Sequence, residues 1–196
     1  MSRTINGSDN ELNYEQFGQR FVHLLVTPER LERELRALLA EPIKGVMSRL
    51  PAELLTARYT FYLQDVQVTT RTECLPQLGL RQRISGLLAL TVRLLGLNLR
   101  FTLQLIIHLE QLVRTYEPLM LRIETRPIDG TSIELKVDPH GLPSEILDRL
   151  NLIEGAVCAE VVDEVNQRLA SGPIAEAINI DLRRIAEEAQ LASTRK

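Results

Sequence analysis

The sequence predicts an α+β fold in which a long, highly curved antiparallel sheet wraps around a long C-terminal helix, with further helices at the N-terminus. Three observations lead to this prediction. Every odd position from Leu97 to Leu109 is apolar, which is the alternation of a β-strand with one buried face. Apolar residues recur at spacings of three and four between Ser144 and Ser171, as on one face of a helix. The 196 residues include 35 leucines and no tryptophan, which indicates an aliphatic interior.

The strand and the helix are expected to have equal lengths. The 13 residues from Leu97 to Leu109 span about 43 Å at about 3.3 Å per residue, although strands usually have about five or six residues. A helix from Ser144 to Ser171 spans about 42 Å at about 1.5 Å per residue. Because a strongly twisted sheet tends to curl, we expect it to curl around this helix and to enclose an apolar seam.

The N-terminal part predicts a disordered polar tail over 1–13, followed by helices. Apolar residues at helical spacing predict the first helix over 17–25. A second helix is expected to begin at Thr27, whose hydroxyl suits the N-cap and is followed by a proline suited to the first turn. Pro42 is expected to end this helix, and Ile43–Leu55 is expected to add a helical turn or two.

Over residues 57–138 the alternation of apolar and polar residues predicts five strands that form an antiparallel meander with one buried face. The alternation changes phase near Gln64 and Asp65, which predicts a β-bulge. Gly96–Asn98 lies at the expected hairpin before the long strand. Pro127–Gly130 is expected to form a tight hairpin between the last two strands.

The C-terminal part predicts two helices. Gly155 falls in the middle of the long helix, where glycine costs about 1 kcal/mol relative to alanine, and we interpret it as a kink or a close contact with the sheet. A polar-rich helix is predicted over Ile174–Gln190. The chain is thus expected to hold one domain over 14–172 and a helical extension over 173–196.

Composition and charge exclude several classes of protein. A net charge of −3 and 4% aromatic residues predict no nucleic-acid partner. The polar segment Met1–Glu11 lacks the apolar core of a secretory signal, and no apolar run is long enough to span a membrane. Cys74 and Cys158 are 84 positions apart with no local indication of a disulfide. We therefore expect a soluble, cytoplasmic protein.

No pattern of catalytic or metal-ligating residues is present in the sequence. The three histidines lack metal-ligand spacing, and neither cysteine lies in a C-x-x-C pair. No nucleophile elbow, P-loop or dinucleotide-binding pattern occurs. The carboxylates Glu154, Glu160, Asp163 and Glu164 are more typical of a solvated helix face than of an acid–base pair. The sequence predicts no catalytic residue, no metal and no cofactor, and so a protein that is not an enzyme.

The order of elements, the strand length and the stretch Val26-Thr27-Pro28-Glu29-Arg30, preceded by Phe21-Val22, resemble the tubular lipid-binding (TULIP) superfamily. This superfamily includes the bactericidal/permeability-increasing and SMP-type lipid carriers. The sequence is more specifically similar to an uncharacterised group of actinobacterial proteins, which implies a bacterial source. The resemblance covers about residues 20–170. It implies a long helix wrapped by a highly curved antiparallel sheet, with a seam or tunnel for acyl chains.

We predict non-catalytic binding of a lipid or fatty acid in this seam. Leucine-rich elements usually pack into a solid core, but very long strands leave a groove longer than ordinary packing needs. A wall without polar anchors suits flexible acyl chains better than a hydrogen-bonded metabolite. The predicted ligand-binding residues are Leu88, Leu90, Val92, Leu99, Phe101, Leu103, Leu105, Val157, Val161 and Val165.

The alternative from another class is a structural or assembly module. In that case Phe17–Leu39, or the apolar stripe from Ile174 to Ile185, docks on another copy or another protein. A homodimer is expected under either hypothesis, and transient membrane contact is compatible with lipid binding. An enzyme with an apolar pocket, such as an aromatic-polyketide cyclase, would need polar residues on the inward face, and the odd positions over 97–109 have none.

Overall fold

The computed structural model describes residues 11–47, 54–71, 77–94, 97–137, 150–170 and 179–187. Over these residues the protein is α+β, with a curled, open antiparallel sheet and helices. Residues 1–10 of the tail predicted over 1–13, the expected turn residue Gly96 and the start of the long helix at 144–149 lie outside the described residues.

Two N-terminal helices are present, as predicted. Helix α1 (Tyr14–Leu25) begins at Asn13, whose side chain accepts a hydrogen bond from the backbone of Gln16 at 2.8 Å. Helix α2 (Pro28–Leu38) begins at Thr27, whose hydroxyl accepts from the Arg30 backbone at 3.3 Å. The caps satisfy backbone N–H groups that have no partner inside the helix.

The expected helical turn within Ile43–Leu55 is wrong for its first part. Residues Ile43–Met47 form strand β1, which pairs antiparallel with β2 from Ile43↔Phe61 to Met47↔Ala57. Helix α2 also ends before Pro42, since Leu39 is its C-cap.

Three long strands form the centre of the sheet. They are β2 (Leu54–Arg71), β3 (Leu78–Leu94) and β4 (Leu97–Tyr116). The predicted bulge is confirmed, because the pairing of β2 with β3 shifts between Leu63 and Asp65. Strand β4 has 20 residues, or about 66 Å along the chain at about 3.3 Å per residue, and extends seven residues beyond the predicted end.

The remaining strands do not form the predicted meander. Strands β5 (Met120–Thr125) and β6 (Ile133–Val137) both pair with β4, at different positions along it. The predicted tight hairpin at Pro127–Gly130 is therefore wrong. A 3-10 helix at Gly130–Ser132 lies in this connection instead, and Asp129 accepts a hydrogen bond from its backbone.

The predicted helix over Ile174–Gln190 is confirmed at 182–187 but is wrong at 179–181. Residues Asn179–Asp181 form strand β7, which pairs with β5 and joins the same sheet. A helix follows at 182–187, and the Asp181 carboxylate accepts from the Arg183 backbone at 2.9 Å.

The full predicted length of the C-terminal helix is not confirmed. Helix α3 is described over Leu150–Ala170, 21 residues, or about 32 Å at about 1.5 Å per residue, and residues 144–149 and 171 of the predicted helix lie outside the described residues. The interpretation of Gly155 as a close contact with the sheet is wrong, because no described atom of the sheet lies within 4 Å of where a Cβ would be. Within its described range α3 is a single helix.

The core covers the concave face of the sheet in two clusters. The first cluster contains Phe61, Leu88 and Leu103, and α3 packs on it through Val157 and the half-buried Val161. The second cluster lies towards the other end of the strands. Its buried residues are Val26, Val66, Val68, Leu78, Leu80, Val113, Leu121 and Ile123.

Side chains of helix α2 form hydrogen bonds with backbone groups of β2 in the part of this strand that does not pair with β1. In the described residues β1 pairs only with Ala57–Phe61. Beyond that range, Arg36 donates to the Val66 carbonyl at 2.8 Å, and the Val68 N–H donates to the Glu32 carboxylate at 2.7 Å. Helix α2 thus satisfies backbone groups that an uncovered edge strand would expose.

Candidate functional site

An apolar cavity of about 120 Å³ lies between the concave face of the sheet and the two helices α2 and α3. For comparison, an apolar cavity of about 150 Å³ accommodates benzene in another protein. Each helix contributes one wall, because apolar residues three or four positions apart lie on the same face of a helix. From α2 and the residue after it come Leu31, Leu35, Leu38 and Leu39, and from α3 come Val161, Val165 and Leu169.

The strands supply the floor of the cavity. Because side chains alternate between the two faces of a sheet, each strand presents every second residue to the cavity. The apolar floor residues are Ile43, Met47, Phe61, Ile84, Leu88, Leu105, Ile107, Leu109 and Ile123.

Two aromatic rings in this region lie over glycines. A Cβ built on Gly45 would lie 2.3 Å from the Tyr59 ring, and a Cβ on Gly86 would lie 2.5 Å from the Phe61 ring. The missing side chains therefore let both rings lie close against the sheet. Tyr59 and Phe61 both line the cavity.

The floor of the cavity also contains two buried glutamines. Gln82 of β3 is 3% exposed and Gln111 of β4 is 6% exposed. The Gln82 Nε2 atom donates to Gln111 Oε1 at 2.5 Å, and Gln111 Nε2 donates to the Thr125 hydroxyl at 2.8 Å. These three residues form a polar chain within an otherwise aliphatic face.

Charged side chains form the rim of the cavity. Glu34 comes from α2, and Glu160, Glu164 and Arg168 come from α3. Arg168 forms an ion pair with Glu164 at 2.6 Å. Burial raises the pKa of the Tyr59 phenol above its ordinary value, the carboxylates of Glu164 and Glu160 raise it further, and Arg168 opposes them.

Helix α3 is attached to the sheet by the side chain of Asn166. Its Oδ1 accepts from the Ile128 backbone N–H at 2.9 Å, and its Nδ2 donates to the Ile128 carbonyl at 3.0 Å. Ile128 lies in the connection between β5 and β6 and is buried. This pair of hydrogen bonds fixes α3 over the concave face and so helps to position one wall of the cavity.

The structure separates the predicted ligand-binding residues into groups. Four of them line the cavity: Leu88, Leu105, Val161 and Val165. Four others lie in the solid part of the first core cluster: Leu90, Val92, Leu103 and Val157. Phe101 packs against that cluster and is partly buried. The side chain of Leu99 lies outside the described part of the structure, although its backbone pairs with Val92.

Several lining residues were not predicted from the sequence. In the sequence the apolar stripe of α2 supports the assembly alternative, and the residues of β1 fall within the expected helical turn. Gln111 lies two residues beyond the end of the predicted strand, on the same inward face as the odd positions before it. Extending the alternation past Leu109 would have found it.

A second cleft, of about 730 Å³, lies beside α1. It is lined by α1, by the last residues of β4 and by Leu119, Leu121 and Leu182. Helix α1 also exposes four large apolar residues at helical spacing, with exposed fractions between 38% at Phe21 and 96% at Tyr14. We call these four residues the α1 stripe: Tyr14, Phe17, Phe21 and Leu24.

Two further findings concern the chemistry of the described residues. Among them no group of three or more histidine, cysteine, aspartate or glutamate side chains is placed to hold a metal ion. None of the described helices combines the length and the apolar character needed to cross a bilayer.

No family model matches the sequence, and no curated protein matches it.

Proposed function

We propose that this protein binds a lipid or fatty-acyl ligand, without catalysing a reaction on it, in the cavity between the sheet, α2 and α3. The observation that carries the proposal is the cavity itself, whose walls are leucine, isoleucine and valine from both helices and from the strands. Such walls favour a flexible aliphatic chain, because burial of its methylene groups contributes about 0.8 kcal/mol each.

The size of the cavity suits one narrow chain segment of a few carbons. Its volume of about 120 Å³ is comparable with cavities that hold one small apolar molecule. A longer acyl chain would extend past the charged rim. In this proposal the curled sheet corresponds to the curved sheet of the TULIP superfamily, and α3 corresponds to the helix that this sheet wraps.

Cavity filling is the experiment that tests this proposal. Native mass spectrometry of gently purified protein should show bound acyl species, and 1-octanol should raise the Tm, because a ligand that binds only the folded state stabilises it. Val165→Phe should fill the cavity, abolish the Tm increase and leave the stability of the free protein nearly unchanged.

Leu103→Phe is the matched control. Leu103 is fully buried but does not line the cavity, so enlarging it should overpack the core and destabilise by about 1–3 kcal/mol without blocking the ligand. The proposal fails if the wild-type protein shows neither acyl species nor a Tm increase. It also fails if Val165→Phe keeps the full increase.

A second candidate function is an assembly module, and the α1 stripe favours it. Exposed aromatic side chains on one helix face are typical of a docking surface, and Phe17 and Phe21 stack with ring centroids 6.1 Å apart. Sedimentation velocity should then show a dimer of the wild-type protein and a monomer of the Phe17→Glu, Phe21→Glu double variant. A monomeric wild-type protein at all concentrations would exclude self-assembly.

A further inference from the structure

We infer that the ligand of this cavity is a neutral amphiphile whose hydroxyl group, or an equivalent hydrogen-bond donor, binds the carboxamide oxygen of Gln82. The inference rests on the proposed function of the same cavity. It adds the polar chemistry and the charge of the ligand to the aliphatic chain already proposed.

The first argument is the direction of the polar chain in the cavity floor. Gln82 donates to Gln111, and Gln111 donates to Thr125. The acceptor at the head of this chain is Gln82 Oε1, and within the described residues no donor is bonded to it. A carboxamide whose N–H is engaged in such a chain is polarised, which strengthens its oxygen as an acceptor.

The second argument is that this oxygen faces the cavity. Gln82 is only 3% exposed, yet no fully enclosed side-chain nitrogen or oxygen in the described part of the protein lacks a partner. The unbonded Oε1 atom is therefore accessible, and Gln82 lines the cavity. An acceptor in an apolar site gains from a ligand donor, because its desolvation is costly when no hydrogen bond replaces water.

The third argument concerns the charge of the ligand. The rim of the cavity carries three carboxylates, Glu34, Glu160 and Glu164, and one guanidinium, Arg168. Glu34 pairs with Arg30 at 2.8 Å, and Arg168, the one cation among these four, pairs with Glu164 at 2.6 Å. The lining therefore offers a carboxylate head group no uncommitted cation, whereas an alcohol needs none. A long-chain alcohol or a hydroxylated acyl chain fits better than a fatty-acid anion.

Three ligands of equal chain length separate these contributions. We would measure the Kd of 1-octanol, methyl octyl ether and octanoate at pH 7 by isothermal titration calorimetry. The ether keeps the chain and the oxygen but lacks the donor. One hydrogen bond contributes about 0.5–1.5 kcal/mol, so octanol should bind the wild-type protein about two- to tenfold more tightly than the ether. Octanoate should bind more weakly than octanol.

The Gln82→Leu variant should lose the preference for octanol over the ether. This change also leaves Gln111 Oε1 without its donor, which can destabilise the protein. The Gln82→Leu, Gln111→Leu double variant replaces both partners by apolar groups, a change that can be nearly neutral, and should show the same loss of preference.

The possible outcomes distinguish this inference from the proposed function. Equal binding of octanol and the ether by the wild-type protein would overturn the role of Gln82. A preference for octanol that survives in either variant would do the same, and tighter binding of octanoate than octanol would overturn the inferred charge. If none of the three ligands binds, the proposed function itself fails.

Discussion

At the scale of single residues, glycine-to-alanine substitutions at Gly86 and Gly155 should change stability in opposite directions. A Cβ at Gly86 would lie 2.3 Å from the Tyr62 carbonyl oxygen, a backbone atom that cannot rotate away. Gly86→Ala should therefore destabilise by about 1–3 kcal/mol, as overpacking does. Gly155 has open space around its Cβ position, so Gly155→Ala should stabilise the helix by up to about 1 kcal/mol.

Urea unfolding of the two alanine variants and the wild-type protein checks this prediction. The chemical change is identical in both variants, so each serves as the control for the other. Equal midpoints for the two variants would show that the close approach of β2 to Gly86 is not present in solution.

Tyr59 should make the stability of the protein depend on alkaline pH. Its pKa is raised above 10.0, first by burial and then by the carboxylates of Glu164 and Glu160. The folded state therefore keeps the phenol proton where the unfolded chain loses it. The stabilisation is complete below about pH 10 and is lost as the pH rises above that value. Tyr59→Phe should make this loss less steep.

The measurement is the free energy of unfolding in urea between pH 8 and pH 11. Tyr62→Phe is the control. No bulge separates Tyr59 from Tyr62 on β2, so the exposed Tyr62 side chain lies on the opposite face of the sheet. Parallel pH profiles for the wild-type protein and Tyr59→Phe would contradict the prediction.

The polar residues of the cavity show what alternation can and cannot predict. The inward direction of Leu103 and Leu105 follows from period two alone, and the structure has both buried. Whether an inward residue lines a cavity or fills the core depends on where α2 and α3 lie. The alternation of β4 gives no information about the position of these helices. Gln111 was missed because the predicted strand stopped at Leu109.

At the scale of elements, Glu32 should contribute to the attachment of α2 to β2. Its carboxylate accepts the hydrogen bond of the Val68 N–H at 2.7 Å, and Val68 is buried. Glu32→Ala leaves that N–H without an acceptor and should destabilise by about 1–3 kcal/mol. Glu32→Gln keeps an acceptor oxygen and should cost less.

Urea unfolding and amide hydrogen exchange at Val68 measure this effect. Exchange should be faster in Glu32→Ala than in Glu32→Gln. Arg33→Ala is the control on the exposed side of α2 and should change stability by no more than about 0.5 kcal/mol. Unchanged protection at Val68 in Glu32→Ala would mean that water or another group serves this edge equally well.

Asn166 should hold α3 on the sheet. Asn166→Ala removes both hydrogen bonds to the backbone of the buried Ile128 and should cost about 1–3 kcal/mol. Asn166→Asp keeps the acceptor but places a carboxylate opposite the Ile128 carbonyl, so it should not restore stability. Faster hydrogen exchange along α3 in both variants is the expected readout. Asn98→Ala, at an exposed position of β4, is the control. If Asn166→Ala destabilised the protein no more than Asn98→Ala does, the role of Asn166 would be refuted.

The elements that were predicted correctly have strong local patterns, and those that were not depend on distant partners. The cap at Thr27 and the alternation of β4 are local. Strand β1 has only five residues, too few for its alternation to be distinguished from a helix, and its pairing with β2 decides its conformation. The pairing of β6 with β4 instead of β5 could not be predicted either. Asp129 and Gly130 suit a tight turn as well as the observed 3-10 helix.

At the scale of the whole molecule, no residue of the α1 stripe lines the cavity. The cavity adjoins the first cluster and α3 and reaches the second cluster at Ile123, while α1 packs on the second cluster through Val22 and Leu25. The side chains of the α1 stripe are exposed, and Tyr14, Phe17 and Phe21 line the second cleft. The resemblance to a lipid carrier and the alternative of an assembly module therefore concern separate surfaces, and both functions can be carried by one chain.

This separation predicts that ligand binding and self-association are uncoupled. If the α1 stripe forms a dimer, the Tm should rise with protein concentration, because association stabilises the folded state by mass action. The Phe17→Glu, Phe21→Glu variant should lose this dependence and keep the Tm increase caused by 1-octanol, whereas Val165→Phe should show the reverse. Combining all three substitutions should give additive changes within about 0.5 kcal/mol, as for distant sites. A larger deviation would mean that association through α1 changes the cavity, and the two surfaces would then have to be treated as one site.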